Sequence, residues 1–338
     1  MSDTGVNNSG GVVYFCDQMF DFETISGAIF ILIFILSLIG NILLLCVIFI
    51  GNNLKNVTNL FILNLAFSDL VFTVTLPFWA VYHLHHWVFG NFACKLMTAA
   101  YIVGLYSSVL LLTAMTVDRF ITVVLHNWQI NPTRRQRCAG GTCAAAWVIS
   151  IAASVSDAVK VKVETEWNNL FKCEDPSVGS DVNLGYYLQV SLLFFLPFAI
   201  IVFCYAAILK TVLQTSNRRR LRTVVAVLCI VTAFFICWGP YNILLVVMSL
   251  YEPVGCYAKE RLFNAYSICR ILAFSHCCMN PLLYMLSQRL RRLLLQLFHC
   301  ENGRRKNREK SNGQNTSVVQ NVAFTAQNSA VMLELPSK

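Results

Sequence analysis

The chain has 338 residues, of which 57% are hydrophobic and only 13% charged. A soluble globular domain carries about 25% charged residues, so this balance argues against one and points to a membrane protein. The formal charge of +9 raises nucleic-acid binding, but the placement of the basic residues described below accounts for most of it.

Residues 1–24 are polar and rich in Gly, Asn and Ser. They carry Asp3, Asp17, Asp21 and Glu23 and no Lys or Arg. No basic stretch precedes a short apolar core, so no cleavable signal peptide is expected and the first apolar segment serves as its own signal anchor. Seven apolar windows follow: 25–50, 57–82, 96–117, 138–156, 182–209, 223–251 and 262–288. Each suffices for a helical span of about 20 residues. The second holds one charged residue, Asp69, and the seventh one, Arg270; the other five hold none. Pro77, Pro197, Pro240 and Pro281 fall inside windows and are expected to kink four helices. No long alternating pattern competes with helix.

The third window anchors the arrangement. From Cys94 at its start to Arg119 at its end is about 38 Å of helix, enough to cross a bilayer and its interface. One rod thus holds a cysteine at one face and Asp118-Arg119 at the other. Seven spans place the termini on opposite sides, and Lys and Arg choose which side is cytoplasmic. One set of connections holds Lys55, Arg134, Arg135, Arg137, Lys210, Arg218, Arg219, Arg220 and Arg222, and the tail continues it. The other holds the acid-only N-terminus and a loop at 160–185 with more acids than bases. The N-terminus is therefore expected outside. The expected fold is an all-α membrane protein: an extracellular acidic segment (1–24), a seven-helix transmembrane bundle (25–287), a short helix (288–300) and a disordered cytoplasmic tail (301–338). In the short helix, Leu290, Leu293, Leu294 and Leu297 share one face beside Arg289, Arg291 and Arg292, which suits an amphipathic helix on the inner membrane surface. Cys300 follows, either a palmitoylation site or an unmodified thiol.

The fourteen cysteines show no metal-ligand spacing, and several sit in apolar windows where a thiol acts as a small hydrophobe. No nucleophile–base–acid set appears, so an enzyme is not expected. Nor do the internal repeats of a transporter.

One mark stands in each span: Gly40-Asn41, Leu65-Ala66-Phe67-Ser68-Asp69, Asp118-Arg119-Phe120, Trp147, Pro197 with Tyr205, Cys237-Trp238-Gly239-Pro240, and Asn280-Pro281-Leu282-Leu283-Tyr284. In this order and spacing they resemble class A (rhodopsin-like) G-protein-coupled receptors over roughly residues 20–300. Thr75-Leu76-Pro77-Phe78-Trp79, Trp87-Val88-Phe89-Gly90 and Ala273-Phe274-Ser275-His276-Cys277-Cys278 narrow the resemblance to chemokine receptors. Where many of these carry Glu, eleven residues before the seventh-span Pro, this chain has Arg270; the run from Ile268 to Cys278 is most similar to the XC (lymphotactin) group.

The resemblance implies a disulfide Cys94–Cys173 and a second, Cys16–Cys256, tethering the N-terminus to the helical rim. It implies a resting ion pair between Asp118 and Arg119, with Tyr205 and Tyr284 as active-state partners of Arg119, and Trp238 above Pro240 as the packing switch that lets the sixth span swing. Asn280 and Pro281 belong to the same switch. No acid follows Arg218-Arg219-Arg220 to lock Arg119, and Phe120 stands where Tyr is commoner. Asp69, the ionisable residue of its span and therefore a functional candidate, would sit with Asn41, Ser108, His276 and Asn280 around either a sodium ion or a water network.

For a small basic ligand, the acid-only N-terminus offers electrostatic capture. Tyr14, near Asp17, is a sulfation site or a plain aromatic contact. Asn7-Asn8-Ser9 is a glycosylation sequon on the outer side. Trp79, Tyr101, Asp157, Tyr241 and Arg270 line the expected pocket, with Asp157 pairing either a ligand amine or Arg270. The implied function is a plasma-membrane chemokine receptor that activates an inhibitory-type heterotrimeric G protein, mobilises calcium and drives chemotaxis. Arrestin would bind the phosphorylated tail. The alternatives are a chemokine scavenger without G-protein signalling and a receptor for CC or CXC ligands. Homo- or heterodimers are left open, and no cofactor beyond sodium is expected.

Overall fold

The computed structural model describes residues 6–8, 11–13, 22–50, 56–125, 131–165, 170–174, 194–215, 218–250 and 255–285. The helices are α1 (Phe22–Ile50), α2 (Val57–Thr73), α3 (Leu76–Leu84), α4 (Gly90–Val123), α5 (Pro132–Lys160), α6 (Leu196–Thr215), α7 (Arg218–Leu250), α8 (Cys256–Phe274) and α9 (His276–Met285). Two short antiparallel hairpins accompany them, β1 (Val6–Asn8) with β2 (Gly11–Val13) and β3 (Lys162–Thr165) with β4 (Phe171–Glu174). The helices overrun the apolar windows: α4 begins at Gly90, α5 at Pro132 and α7 at Arg218. The amphipathic helix expected at 288–300, the tail at 301–338, Tyr14, Cys16, Asp17 and Cys300 lie outside the described residues.

Six stretches among the described residues are long and apolar enough to cross a membrane: 24–50, 57–84, 90–123, 132–160, 196–214 and 231–248. The seventh is the pair α8–α9. It is less apolar because α8 carries Lys259, Glu260, Arg261 and Arg270, and it is interrupted at Ser275. α4 is the central rod, in contact with α2, α5, α6, α7 and β3.

One of the four prolines acts differently from expectation. The second span does not merely kink but divides into α2 and α3 at Val74–Thr75, with Pro77 in the first turn of α3. Two hydroxyls bond back onto carbonyls beside the break: the Thr73 hydroxyl donates to Asp69 O at 2.6 Å and the Thr75 hydroxyl to Phe72 O at 2.7 Å. Pro197 follows a π turn at Phe194–Phe195; a wide turn suits a residue without an N–H. Pro240 and Pro281 lie inside α7 and α9 as expected. At the break between α8 and α9, side chains again answer the carbonyls. Ser275 Oγ donates to Leu272 O at 2.7 Å, His276 Nδ1 lies 2.8 Å from Ala273 O, and Cys277 Sγ donates to Phe274 O at 3.1 Å. Buried polar backbone in a span demands such partners.

Two glycines set helix spacing. A Cβ on Gly104 would stand 2.8 Å from Phe72, and one on Gly40 3.0 Å from Pro281. The second and third spans, and the first and seventh, therefore approach more closely than a larger residue allows.

Candidate functional site

At one end of the bundle the β3–β4 hairpin is held to α4 by the disulfide Cys94–Cys173, with Cα atoms 5.7 Å apart. Val163 faces Cys173 across the ladder. The Trp87-Val88-Phe89-Gly90 segment explains itself here. Trp87 is buried against Cys94, Val161 and Cys173; its ring N–H donates to Gly90 O at 2.9 Å and its backbone N–H to Phe171 O at 2.8 Å. Gly90 takes a φ of +76°, a conformation that favours glycine. The hairpin is too short to have stood out in the sequence. Of the second expected disulfide, Cys256 opens α8, but the pairing rests on Cys16 and so falls outside the described residues. Asn7 lies in β1.

Below the hairpin lies an aromatic column. Trp79 stands 5.6 Å from Trp87 and 6.4 Å from Tyr101 by ring centroids. Tyr101 meets Trp238 at 6.4 Å, and Trp238 meets Tyr241 at 5.7 Å. The Tyr241 and Tyr266 hydroxyls are 3.5 Å apart. Arg270 lies over the rings of Tyr266 (5.2 Å) and Phe30 (5.6 Å), and its Nη2 is 3.5 Å from His83 Nδ1. Four of the five expected pocket residues thus join one contact chain. Asp157, half-buried on α5, is not among the partners of Arg270, so the internal ion pair considered for these two is not formed. The rings hold the guanidinium instead, a cation–π arrangement. His83, Tyr266 and Phe30 were not singled out from sequence. His83 and Phe30 lie in spans whose only marks were elsewhere, and Tyr266 is a turn from Arg270.

The column continues inward through Phe72, fully buried, which meets Phe274 at 5.2 Å and His276 at 4.7 Å. Trp238 meets His276 at 5.3 Å. Beneath it sits Asp69, fully buried. Ser108 donates to its Oδ1 at 3.2 Å and Asn280 Nδ2 to its Oδ2 at 2.7 Å. His276 Nε2 lies 4.0 Å from Oδ1 and makes no hydrogen bond. Ser68 bridges Gly104 O and the Ser108 hydroxyl, each at 2.8 Å. Asn41, expected beside Asp69, instead donates to Cys277 O and Ser37 O, both at 3.0 Å. Its amide is short enough to reach the carbonyls exposed where the seventh span breaks, and those carbonyls need a donor. As a sodium cage the set fits poorly. A hard cation takes oxygen ligands, whereas His276 and Asn280 turn nitrogens toward the carboxylate. Asp69 and Ser108 supply oxygens.

At the other end of α4, Asp118 does not pair as expected. Arg135 of α5 donates from Nε to Oδ1 at 2.8 Å and from Nη2 to Oδ2 at 2.6 Å. This two-pronged fork occupies both carboxylate oxygens, so in this structure Asp118 pairs with Arg135, where Arg119 was expected. An adjacent helix residue points about 100° away around the axis, whereas a facing helix can present its guanidinium squarely. Arg119 follows on α4, Phe120 packs on Phe203 at 6.0 Å, and Tyr205 is buried on α6. Pro281 is buried and Tyr284 stands near the end of α9. Trp147 donates from Nε1 to Asn64 Oδ1 at 3.1 Å, tying the fourth span to the second.

Seven spans, a disulfide at one end, an aromatic column and a charged pair at the far end of the third span define a seven-helix membrane architecture. Residues 40–284 match the family of seven-transmembrane receptors of the rhodopsin type. The chain is 39% identical over 300 residues to chemokine XC receptor 1 of Homo sapiens, covering 84% of this chain and 86% of that protein. It is 38% identical over 279 residues to chemokine XC receptor 1 of Mus musculus, covering 82% and 84%. The chain belongs to the rhodopsin-like G-protein-coupled receptors, within the chemokine receptors, as a multi-pass plasma-membrane protein. That family is one of receptors, not of enzymes.

Proposed function

We propose that this receptor binds a small basic chemokine, of the XC type, at its disulfide end and activates an inhibitory-type heterotrimeric G protein at its Asp118 end, with calcium mobilisation and chemotaxis as the cellular outcome. The disulfide end is extracellular in this reading and the N-terminus with it, in keeping with the bias of Lys and Arg toward the other side. The observation that carries the reading is the continuous contact column. It runs from Arg270, Tyr266 and Tyr241 through Trp238 and His276 to Asp69 and Asn280. A ligand segment that moves Tyr241 repacks Trp238 directly, one that moves Arg270 does so through Tyr266 and Tyr241, and Trp238 sits two residues before Pro240 in α7.

Arg270 would meet a carbonyl or acidic group of the entering ligand segment, and Asp157 an amine. Trp79 and Tyr101 form the wall between them. Tyr14 and Asp17 would contribute to first capture. Activation then needs the ligand to bind the active arrangement better than the resting one. Arg119 would engage the G protein, with Tyr205 and Tyr284 as its partners. Phosphorylated tail residues would recruit arrestin, Asn7 would carry glycan and Cys300 a palmitoyl chain. Sodium plays no step here.

The test is G-protein activation in cells expressing the chain, challenged with XC, CC and CXC chemokines, with Arg119→Ala as control. A response to the XC ligand that is lost in the variant, with surface binding retained, is expected. Binding and uptake without any G-protein response in the intact chain would establish a scavenger instead. Normal surface expression with no chemokine bound would overturn the ligand assignment.

A further inference from the structure

A cavity of about 570 Å³ opens between α4 and α5 on the side away from the aromatic column. Its floor is Phe61, Ala139 and Ala146, all buried. Its rim on α5 is Cys138, Thr142, Ala145 and Ile149, all exposed on the outer face of a spanning helix. In a bilayer such a rim faces lipid, not water. The size falls within the range of small-molecule sites, about 300–1,000 Å³.

The interior makes no polar demand. The Thr142 hydroxyl donates to Cys138 O at 2.9 Å, the Thr113 hydroxyl to Val109 O at 2.8 Å and the Thr122 hydroxyl to Asp118 O at 2.9 Å, so all three lining hydroxyls are satisfied within their own helices. The one charged feature is the Asp118–Arg135 fork at the mouth, internally neutral. From Arg135 to Ile149 the crevice follows about 21 Å of helix. One leaflet of hydrocarbon is about 15 Å deep, half of the roughly 30 Å core. The crevice therefore starts at one membrane face and accommodates a chain of one leaflet.

The mouth is positive. Arg134 continues the rim stripe one turn beyond Cys138, at the i, i+4 spacing that puts side chains on one face. Arg134 and Arg137 are exposed, and neither meets an acid among the described residues. Both lie in the first two turns of α5, which begins at Pro132 with Asn131 as its cap. Cations at a helix N-terminus add to the positive end of the helix dipole instead of offsetting it. That local excess is complemented by an anion, and the cytoplasmic leaflet supplies anionic headgroups.

We propose that this crevice is a binding site for an anionic phospholipid of the cytoplasmic leaflet, with one acyl chain between α4 and α5 and the phosphate against Arg134. Its leaflet assignment rests on the orientation given under Proposed function; its occupancy does not rest on signalling. Because Arg135 borders both the seat and Asp118, the site adjoins the activation switch, and a headgroup that competes for Arg135 loosens Asp118.

The test uses the purified full-length chain in lipid nanodiscs with a phosphatidylserine carrying a photoactivatable group in mid-chain, followed by peptide mapping. The tag is expected on the 110–121 and 138–149 segments, competed by unlabelled phosphatidylserine and not by phosphatidylcholine or inorganic phosphate. Arg134→Ala, an exposed change that leaves the core intact, is expected to weaken labelling about fivefold, the equivalent of one cation near an anionic surface. Thr142→Trp, on the lipid-facing rim, is expected to block it. Labelling that is equal with phosphatidylcholine, that a sterol displaces, that maps elsewhere, or that survives both substitutions would overturn the proposal. None of these outcomes depends on chemokine response, so failure here is distinct from failure of the receptor reading.

Discussion

At the hairpin end, a covalent bond between Cys94 and Cys173, two Trp87 hydrogen bonds and the packing of Trp79 and Tyr82 hold the third span, the second span and the loop as one piece. At the Asp118 end, the equivalent tie between α4 and α5 is one charged fork whose side chains are 14% and 31% exposed. A covalent frame fixes the shape of a pocket. A bidentate fork is stronger than a single exposed ion pair, but it is not covalent, and a competing anion can replace it. The difference suits a molecule whose one end must recognise and whose other end must move. Between them, the Asp69 network is buried and made of directional hydrogen bonds, so it can exist in discrete arrangements instead of deforming smoothly.

The contrast can be broken first at its strong end. Cys173→Ser opens a loop closed over a sequence separation of 79 and is expected to cost about 2–5 kcal/mol. Thermal unfolding of the purified receptor reads this, and a variant as stable as the parent would mean the hairpin is held by packing alone. Next comes the middle. Asn280→Ala leaves Asp69 Oδ2 without its amide donor, an expected loss of about 1–3 kcal/mol, read by the same unfolding measurement. At the non-covalent end, Arg135→Ala removes two charge-assisted hydrogen bonds to Asp118 and is expected to cost about 1–2 kcal/mol, tempered by partial solvation. It should nevertheless raise ligand-independent G-protein activation, because it frees Asp118; unchanged basal activity would show that the fork is only an anchor. The smallest effect is expected for Trp147→Phe, which removes one hydrogen bond to Asn64, about 0.5–1.5 kcal/mol, with ligand response intact.

Much of this was legible because membrane spans are the strongest signal a sequence carries. Apolar windows located all seven spans, the seventh despite Arg270. The motif positions of the switch were legible through resemblance, and four pocket residues do share one column. What was not legible has physical reasons. The β3 and β4 strands are four residues each, too short for alternation to declare itself. Arg135 lies 17 residues from Asp118 across a connection, and no periodicity relates residues on two helices. At the helix breaks the Thr75 and Ser275 hydroxyls bond back onto nearby carbonyls, and a proline alone does not say whether a helix bends or divides. Asn41 was drawn to such a carbonyl, at Cys277, and away from Asp69. The lipid crevice depends on Ala and Thr residues being small together on two helices, which neither sequence window displays.

The central claim is that the two ends are energetically coupled, and coupling of binding sites is reciprocal. The most direct measurement is the affinity of an XC-type chemokine for the purified chain in nanodiscs, with and without nucleotide-free inhibitory-type G protein. The account predicts that the G protein tightens chemokine binding by about fivefold or more, and that Arg119→Ala abolishes the gain without changing affinity in its absence. Identical affinities with and without G protein in the intact chain would contradict it.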